Sequence, residues 1–208
     1  MALSGVSEST PQGGCLTLGN ECGLGILAAT VTRVNGSNSH QTGAVAELCP
    51  ACGLCCNGVL FADVEIQGVD DRKKLRSYGL LLERRGRKIL FSQPCECFDG
   101  KLCRIYDDRP CRCQTFECRQ LQQVQAGDVT ATSALRAIKQ ARHQAEIVRD
   151  LVRQLGQKDE HQPLNHRYQQ ILAEPYDLAG DSKVIRLRSR LLRAVDKLVA
   201  IIERDFLT

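Results

Sequence analysis

Cysteines dominate the chemistry that this sequence could perform. The stretch CPACGLCC places Cys49 and Cys52 in a CxxC pair and sets Cys55 and Cys56 side by side. A thiolate is a soft ligand that suits zinc, iron–sulfur clusters and copper(I), and CxxC spacing lets two sulfurs of one tight turn reach the same ion. Neighbouring side chains tend to point in different directions. We therefore expect Cys55 and Cys56 to serve two metals, to divide into a ligand and a packing or reactive thiol, or to form a strained vicinal disulfide.

A second group of cysteines follows in the stretch PCECFDGKLCRIYDDRPCRCQTFEC. It supplies Cys95, Cys97, Cys103, Cys111, Cys113 and Cys118, while Cys15 and Cys22 precede the first group. The start of the chain, MALSGVSEST, has neither the charged nor the apolar part of a signal peptide. Clustered cysteines in a protein that stays in the reducing cytoplasm usually hold metal. The sequence therefore favours a cytoplasmic metal-binding protein over a disulfide framework.

The two cysteine segments together resemble the CxxCxxCC, or YkgJ-type, family of cysteine-cluster proteins, to which zinc or iron chelation is attributed. The resemblance covers about residues 47–120. Carried over by position, it implies metal ligands at Cys49, Cys52, Cys55, Cys56, Cys95, Cys103, Cys113 and Cys118. The family's accompanying residues are matched by Ile105, Tyr106, Arg109, Pro110 and Phe116. Gln114 replaces the usual Arg, and the extra Cys97 and Cys111 are alternative ligands.

The function that this resemblance implies is chelation of zinc or iron, an iron–sulfur cluster included. Flagellin lysine methylases share the cysteine motif, so an iron-dependent redox or protein-modifying enzyme is one alternative. However, no strand is followed by a glycine-rich loop of the kind that binds S-adenosylmethionine. A third hypothesis is a soft-metal or thiol buffer that uses all twelve cysteines.

Two residues between the cysteines could support a metal site. Metal thiolates usually need hydrogen-bond donors, so Arg109 could donate to a thiolate while Tyr106 packs over the site. The alternative is a surface loop with an Arg–Asp pair. Asp63 is expected to face solvent from a strand, and the four histidines are expected on the surface.

The elements that must position the cysteines predict an α+β fold. We expect a flexible N-terminal extension over residues 1–46, a small cysteine-rich metal-binding domain with short strands over 47–120, and a helical C-terminal region over 121–208. Within the domain, Phe61, Val64 and Ile66 indicate a short strand. The stretch VDDRKKLRSYGL predicts a short helix capped by Asp70 or Asp71, and LLLERRGRKILFSQ predicts two strands joined at Arg85 and Gly86.

Three helices are predicted after residue 120. The first carries an Ala-rich apolar stripe: Ala131, Ala134, Ile138, Ala141, Ala145, Val148, Val152 and Leu155. A shorter helix is predicted in PLNHRYQQILAE. The last begins at Asp181 or Ser182 and has the stripe Val184, Leu187, Leu191, Val195, Leu198, Ile202 and Phe206.

The overall charge is too mild to indicate a polyanionic partner. The net charge is +4 and aromatic residues make up 4% of the chain. Acidic residues are interspersed among the basic stretches, which is typical of solvated faces rather than of nucleic-acid or membrane surfaces. We expect no nucleic acid and no membrane, and we expect that any protein partner would bind through the helical C-terminal region.

Overall fold

The computed structural model describes residues 38–175 and 181–207, which contain seven helices and one small sheet. In chain order they are α1 (Asn38–Cys52), β1 (Asp63–Glu65), α2 (Arg72–Ser77), β2 (Glu83–Arg85), β3 (Lys88–Ser92), α3 (Cys111–Thr115), α4 (Arg119–Ala126), α5 (Ala131–Gln154), α6 (Leu164–Ala173) and α7 (Ser182–Asp205). A single 3₁₀ turn spans Tyr106–Asp108. The predicted α+β class, with short strands among the cysteines and helices after them, is confirmed.

The sheet is antiparallel in the order β1-β3-β2. Val64 pairs with Phe91 on one side of β3, and Arg84 pairs with Ile89 on the other. Gly86 has a φ of +61° in the two-residue connection from β2 to β3, a conformation that suits glycine in tight hairpins. The predicted hairpin is therefore confirmed.

The sheet covers a small core, called here the sheet core. It contains Ile66, Leu75, Leu80, Phe91, Cys97 and Ile105, with Cys95, Cys103 and Cys113 packed against it. The helix α2 is capped by Asp71, whose side chain accepts from the Lys73 and Lys74 N–H groups. Asp70, the other predicted cap, instead accepts from the N–H groups of Gln67 and Cys111.

A larger helical core is built from α1 and α4–α7, together with Leu54 and Val59. Its buried residues in these helices and just after α7 are Leu48, Leu121, Ala134, Ile138, Ala141, Ala145, Val148, Leu151, Val152, Leu164, Ile171, Leu187, Leu191, Ala194, Val195, Leu198, Ile201, Ile202 and Phe206. The small side chains of α5 allow its close approach to α7, where the Gln144 amide donates to the Ala194 carbonyl (2.9 Å). The predicted stripes lie in this core except for Ala131 and Leu155, which are half-buried, and Val184, which is 42% exposed near the start of α7.

The first helix differs from the sequence-based expectation. α1 begins at Asn38, inside the segment predicted to be a flexible extension. Its sequence contains Gly43 and Pro50 and has no amphipathic pattern, so its helical propensity is low. The helix is instead held by packing, because Leu48 is buried in the helical core. Cys15 and Cys22 lie outside the described residues.

The described residues, 38–175 and 181–207, group into one compact unit. Within the described parts of the chain, no helix has the length and apolar character needed to cross a membrane.

Candidate metal centre

The CxxC pair lies at the end of a helix. Cys49 and Cys52 occupy the last turn of α1 and not a tight turn, as the sequence had suggested. Residues three apart in a helix share a face, so the two thiols still lie on the same side. Gly53 follows with a φ of +65°, and its N–H donates to the Cys49 carbonyl (3.1 Å). A Cβ at Gly53 would lie 2.6 Å from Cζ of Phe98, so the turn needs glycine both for its conformation and for space.

The adjacent cysteines lie on a turn that is fixed at both ends. The N–H groups of Cys56 and Asn57 both donate to the Gly53 carbonyl at 3.0 Å. Leu54, which follows Gly53 in this turn, is fully buried in the helical core. The sulfurs of Cys55 and Cys56 lie 3.9 Å apart, closer than the expectation of diverging side chains implied.

The second cysteine segment docks directly on this turn. The Cys95 N–H donates to the Cys56 carbonyl (2.9 Å), and the Phe98 N–H donates to the Cys95 carbonyl (2.9 Å). An isolated β-bridge then pairs Phe98 with Cys103. These backbone bonds place Cys95 and Cys103 on one short loop beside Cys56.

The last two predicted ligands belong to short helices. Cys113 lies in α3, and its N–H donates to the Pro110 carbonyl (2.8 Å). Cys118 immediately precedes α4, which packs against α1. Between them, the Phe116 ring meets the Phe61 ring edge to face at 4.9 Å. This aromatic contact fastens the second segment to the chain that follows the first.

Burial keeps most of these thiols protonated. It raises the pKa of Cys49 to about 11 and the pKa values of Cys52, Cys95 and Cys113 to about 12. Burial also raises the pKa of Cys118. A metal that bound these sulfurs would have to displace their protons, as metals do at cysteine sites generally.

The Cys55–Cys56 pair behaves differently from the other thiols. A hydrogen bond between the two sulfurs lowers the pKa of Cys55 and raises that of Cys56. Burial raises the pKa of Cys56 further and opposes the lowering at Cys55. One thiol of the pair is thus the easier to ionise, and the other retains its proton.

Electrostatic interactions show which cysteines come together. Cys55 and Cys118 both raise the pKa values of Cys49 and Cys52 after the larger effect of burial. On the other side, Cys95 and Cys113 raise the pKa of Cys56 after the effects of Cys55 and of burial. Cys95 and Cys55, followed by Cys103, add to the burial that raises the pKa of Cys113, and Cys103 also adds to the burial that raises the pKa of Cys95. Each of the eight predicted ligands therefore interacts with at least one other.

The thiols converge without forming a closed ligand shell. In the part of the chain that the structure describes, no three His, Cys, Asp or Glu side chains are already placed to hold a metal ion. Nine of the cysteines there are free thiols: Cys49, Cys52, Cys55, Cys56, Cys95, Cys97, Cys103, Cys113 and Cys118. The donor set nevertheless fits zinc or iron, because it consists of soft sulfur ligands held by backbone hydrogen bonds around one turn.

The two extra cysteines are both buried. Cys97 is 1% exposed in the sheet core, and its thiol donates to the Tyr78 carbonyl (3.6 Å). Cys111 begins α3, and its N–H donates to Asp70. Cys97 and Cys111 are thus both buried, whereas Cys95 is partly exposed.

Arg109 carries positive charge toward the thiols. Its guanidinium stacks on the Tyr106 ring, 3.7 Å from the centroid, and its Nε donates to the Tyr106 carbonyl (2.8 Å). The charge acts against the burial that raises the pKa values of Cys49 and Cys113. Tyr106 itself is 44% exposed, so it supports Arg109 and does not cover the cysteines.

Two arginines of α5 were not predicted to contribute. Arg142 donates from Nη1 to the Ala51 carbonyl (2.6 Å), and Arg149 donates from Nη2 to the Asn57 carbonyl (3.3 Å). They hold the two ends of the turn that carries Cys52, Cys55 and Cys56. Their spacing of seven residues, which places both on one helix face, was the available signal.

Comparison with known proteins identifies the cysteine region. Residues 48–146 match the model of the CxxCxxCC family, which is described as a "Putative zinc- or iron-chelating domain". The match extends past the two cysteine segments into α5, and so includes Arg142. Searches of curated proteins and of solved structures found no match.

Proposed function

We propose that the protein binds zinc or iron through cysteine thiolates, because residues 48–146 match the model of the CxxCxxCC family. The proposed ligands are Cys49, Cys52, Cys55, Cys56, Cys95, Cys103, Cys113 and Cys118. The observation that carries the proposal is the docking of the second cysteine segment on the first, through the 2.9 Å bond from the Cys95 N–H to the Cys56 carbonyl.

The metal would join elements that otherwise share few contacts. When bound, zinc or iron would supply a multivalent link between sulfurs. The chain's part is to hold α1, the turn after it, the loop at Cys95 and α3 within reach of one another. Because such ligands are assembled only in the folded chain, metal binding stabilises the fold. The minimum role of the metal would then be structural, which means that it stabilises the folded domain.

Substitution of single ligands tests the proposal. Cys52→Ser and Cys55→Ser should each lower the metal content of protein purified without oxygen, and each should lower the melting temperature. Cys97→Ala is the matched control, because Cys97 is buried beside the site but packs in the sheet core. It should cost stability and retain metal. If the Cys52→Ser/Cys55→Ser double variant kept full metal content and melting temperature, the proposal would fail.

An iron–sulfur cluster is the second candidate for the bound group. Four thiolates are the usual ligands of such clusters, and the chain offers twice that number of proposed ligands. Anaerobically purified protein should then be brown, whereas a zinc protein is colourless. We also propose a cytoplasmic location, where reducing conditions would keep the proposed thiol ligands available to a metal.

The hypothesis of a soft-metal buffer predicts a different metal content in these variants. A soft-metal buffer would take up several ions per chain and tolerate the loss of any one cysteine. Loss of metal on a single substitution therefore argues for a defined site and against a buffer.

A further inference from the structure

Cys55 and Cys56 are adjacent in the chain, and they lie between the two cysteine segments. On one side, Cys49 and Cys52 share a face in the last turn of α1. On the other side, the Cys56 carbonyl accepts from the Cys95 N–H at 2.9 Å. The adjacent pair thus lies at the boundary between two groups of thiols.

Packing divides the cysteines in the same way. Cys52 and Cys118 pack against the helical core. Cys95, Cys103 and Cys113 pack against the sheet core. The backbone agrees, because the Cys95 N–H donates to the carbonyl of Cys56 and not to that of Cys55.

We infer that the eight proposed ligands form two four-thiol sets, each of which holds one metal centre. The helical-side set is Cys49, Cys52, Cys55 and Cys118, and the sheet-side set is Cys56, Cys95, Cys103 and Cys113. This inference rests on the proposed function and adds to it the number of centres and the membership of each. Four thiolates complete a tetrahedral ion, so each set is sufficient by itself.

The charge on the chain also suits two neighbouring centres. A divalent ion with four thiolates carries a net negative charge, and two such centres side by side would repel each other. Arg109 acts on Cys49 and Cys55 of the helical-side set and on Cys113 of the sheet-side set. Its guanidinium therefore offsets negative charge in both sets.

The competing arrangement is a single ion that binds Cys55 and Cys56 together. Bonds of about 2.3 Å give a tetrahedral sulfur–sulfur edge of about 3.8 Å, close to the 3.9 Å between these two sulfurs. That arrangement predicts one ion per chain, whereas the two-set arrangement predicts two. Counting bound ions therefore separates them.

The experiment is a zinc titration of the full, reduced chain under anaerobic conditions, with bound zinc measured by elemental analysis. The unaltered chain should bind two ions. Cys118→Ser and Cys113→Ser should each lose about one ion, and Cys97→Ala should retain both. Circular dichroism of each variant checks that the fold is retained.

Double variants test the membership of each set. Cys49→Ser/Cys118→Ser removes two ligands of one set and should retain one ion, whereas Cys118→Ser/Cys113→Ser should retain none. One ion in the unaltered chain, or equal losses in the two double variants, would overturn the partition while leaving metal binding intact. Absence of bound zinc and iron from the unaltered chain would instead overturn the proposed function.

The ion count of the unaltered chain does not depend on any substitution. It therefore decides the number of centres even if a variant fails to fold.

Discussion

At the residue scale, Gly53, which follows the CxxC pair, is constrained both by its backbone conformation and by its surroundings. Gly53 combines a φ of +65° with a contact to the Phe98 ring that leaves no room for a Cβ. Phe98 also joins the loop that carries Cys95 and Cys103. A change at Gly53 therefore acts on both cysteine segments at once.

We predict that Gly53→Ala lowers the free energy of unfolding by about 1–3 kcal/mol, because it adds backbone strain and a clash with Phe98. Denaturant unfolding of the full chain measures the change. Gly100→Ala is the matched control, because Gly100 has a φ of +96° but no atom within 4 Å of an added Cβ. It should cost only the strain, about 1 kcal/mol. Equal losses in the two variants would show that the Phe98 contact contributes nothing.

Part of the site could be predicted from individual residues, and part could not. The eight candidate cysteines stood out by their clustering and by the family motif. The association of Cys118 with Cys49 and Cys52 had no local signal, because it depends on the packing of α4 against α1. The distance between the sulfurs of Cys55 and Cys56 likewise depends on side-chain conformations that neighbouring positions in a sequence do not determine.

At the element scale, α5 does more than fill the helical core. Arg142 donates to the Ala51 carbonyl in the last turn of α1, where helix carbonyls have no partner within the helix. The predicted helical region therefore contacts the cysteine turn directly.

We expect Arg142→Gln to lower the free energy of unfolding by at most about 1 kcal/mol, because the hydrogen bond that it removes is exposed to solvent. It should also weaken zinc binding, because the turn that carries Cys52 loses a support. Lys139→Gln is the control, because Lys139 is exposed on the same helix and its substitution also removes one positive charge. Unfolding and zinc titration of both variants measure the effects. If Arg142→Gln and the control had the same stability and the same zinc binding, Arg142 of α5 would not support the cysteine turn.

A polar cluster ties α2 to the 3₁₀ turn. Lys74 Nζ donates to Asp108 (2.6 Å), and the Tyr78 hydroxyl donates to the same carboxylate (2.5 Å). These two hydrogen bonds lower the pKa of Asp108, Lys74 first and Tyr78 second. A carboxyl group whose pKa is lowered by folding stabilises the protein above its unfolded pKa, and this contribution is lost as the pH falls through the folded pKa.

We therefore predict that Asp108→Asn lowers the melting temperature at neutral pH and that the difference from the unaltered chain shrinks below about pH 4, near the ordinary pKa of Asp. Asp107→Asn is the control on the same exposed turn. Thermal melts between neutral and acid pH measure the difference. A constant difference at all pH values would contradict an electrostatic origin.

Regular elements could be predicted where their own sequence encodes them. The β2–β3 hairpin has a glycine in its connection and an apolar run in β3, and α5 and α7 have apolar stripes. α1 could not be predicted, because Gly43 and Pro50 lower its helical propensity and its last turns are held by the packing of Leu48 and Cys52 in the core. α3 and α4 are too short to show a helical period.

At the scale of the whole molecule, the cysteine region and the helices share one core. Leu48 and Leu54 flank the CxxC pair and are buried with residues of α5–α7. The match to the CxxCxxCC family also runs to residue 146, well inside α5. Residues on both sides of the predicted boundary at residue 120 therefore contribute to the helical core.

This arrangement predicts that the cysteine region cannot fold without the helices that follow it. A chain that ends at Gly127 would expose Leu48, Leu54, Val59 and Leu121, each of which stabilises the fold by about 1.5–3 kcal/mol when buried. Their sum is comparable to the whole stability of an ordinary domain, about 5–15 kcal/mol. We expect the shortened chain to lack a cooperative unfolding transition and to bind zinc weakly, as measured by circular dichroism and elemental analysis against the full chain. A shortened chain that bound two ions and unfolded cooperatively would instead support an independent domain ending near residue 120.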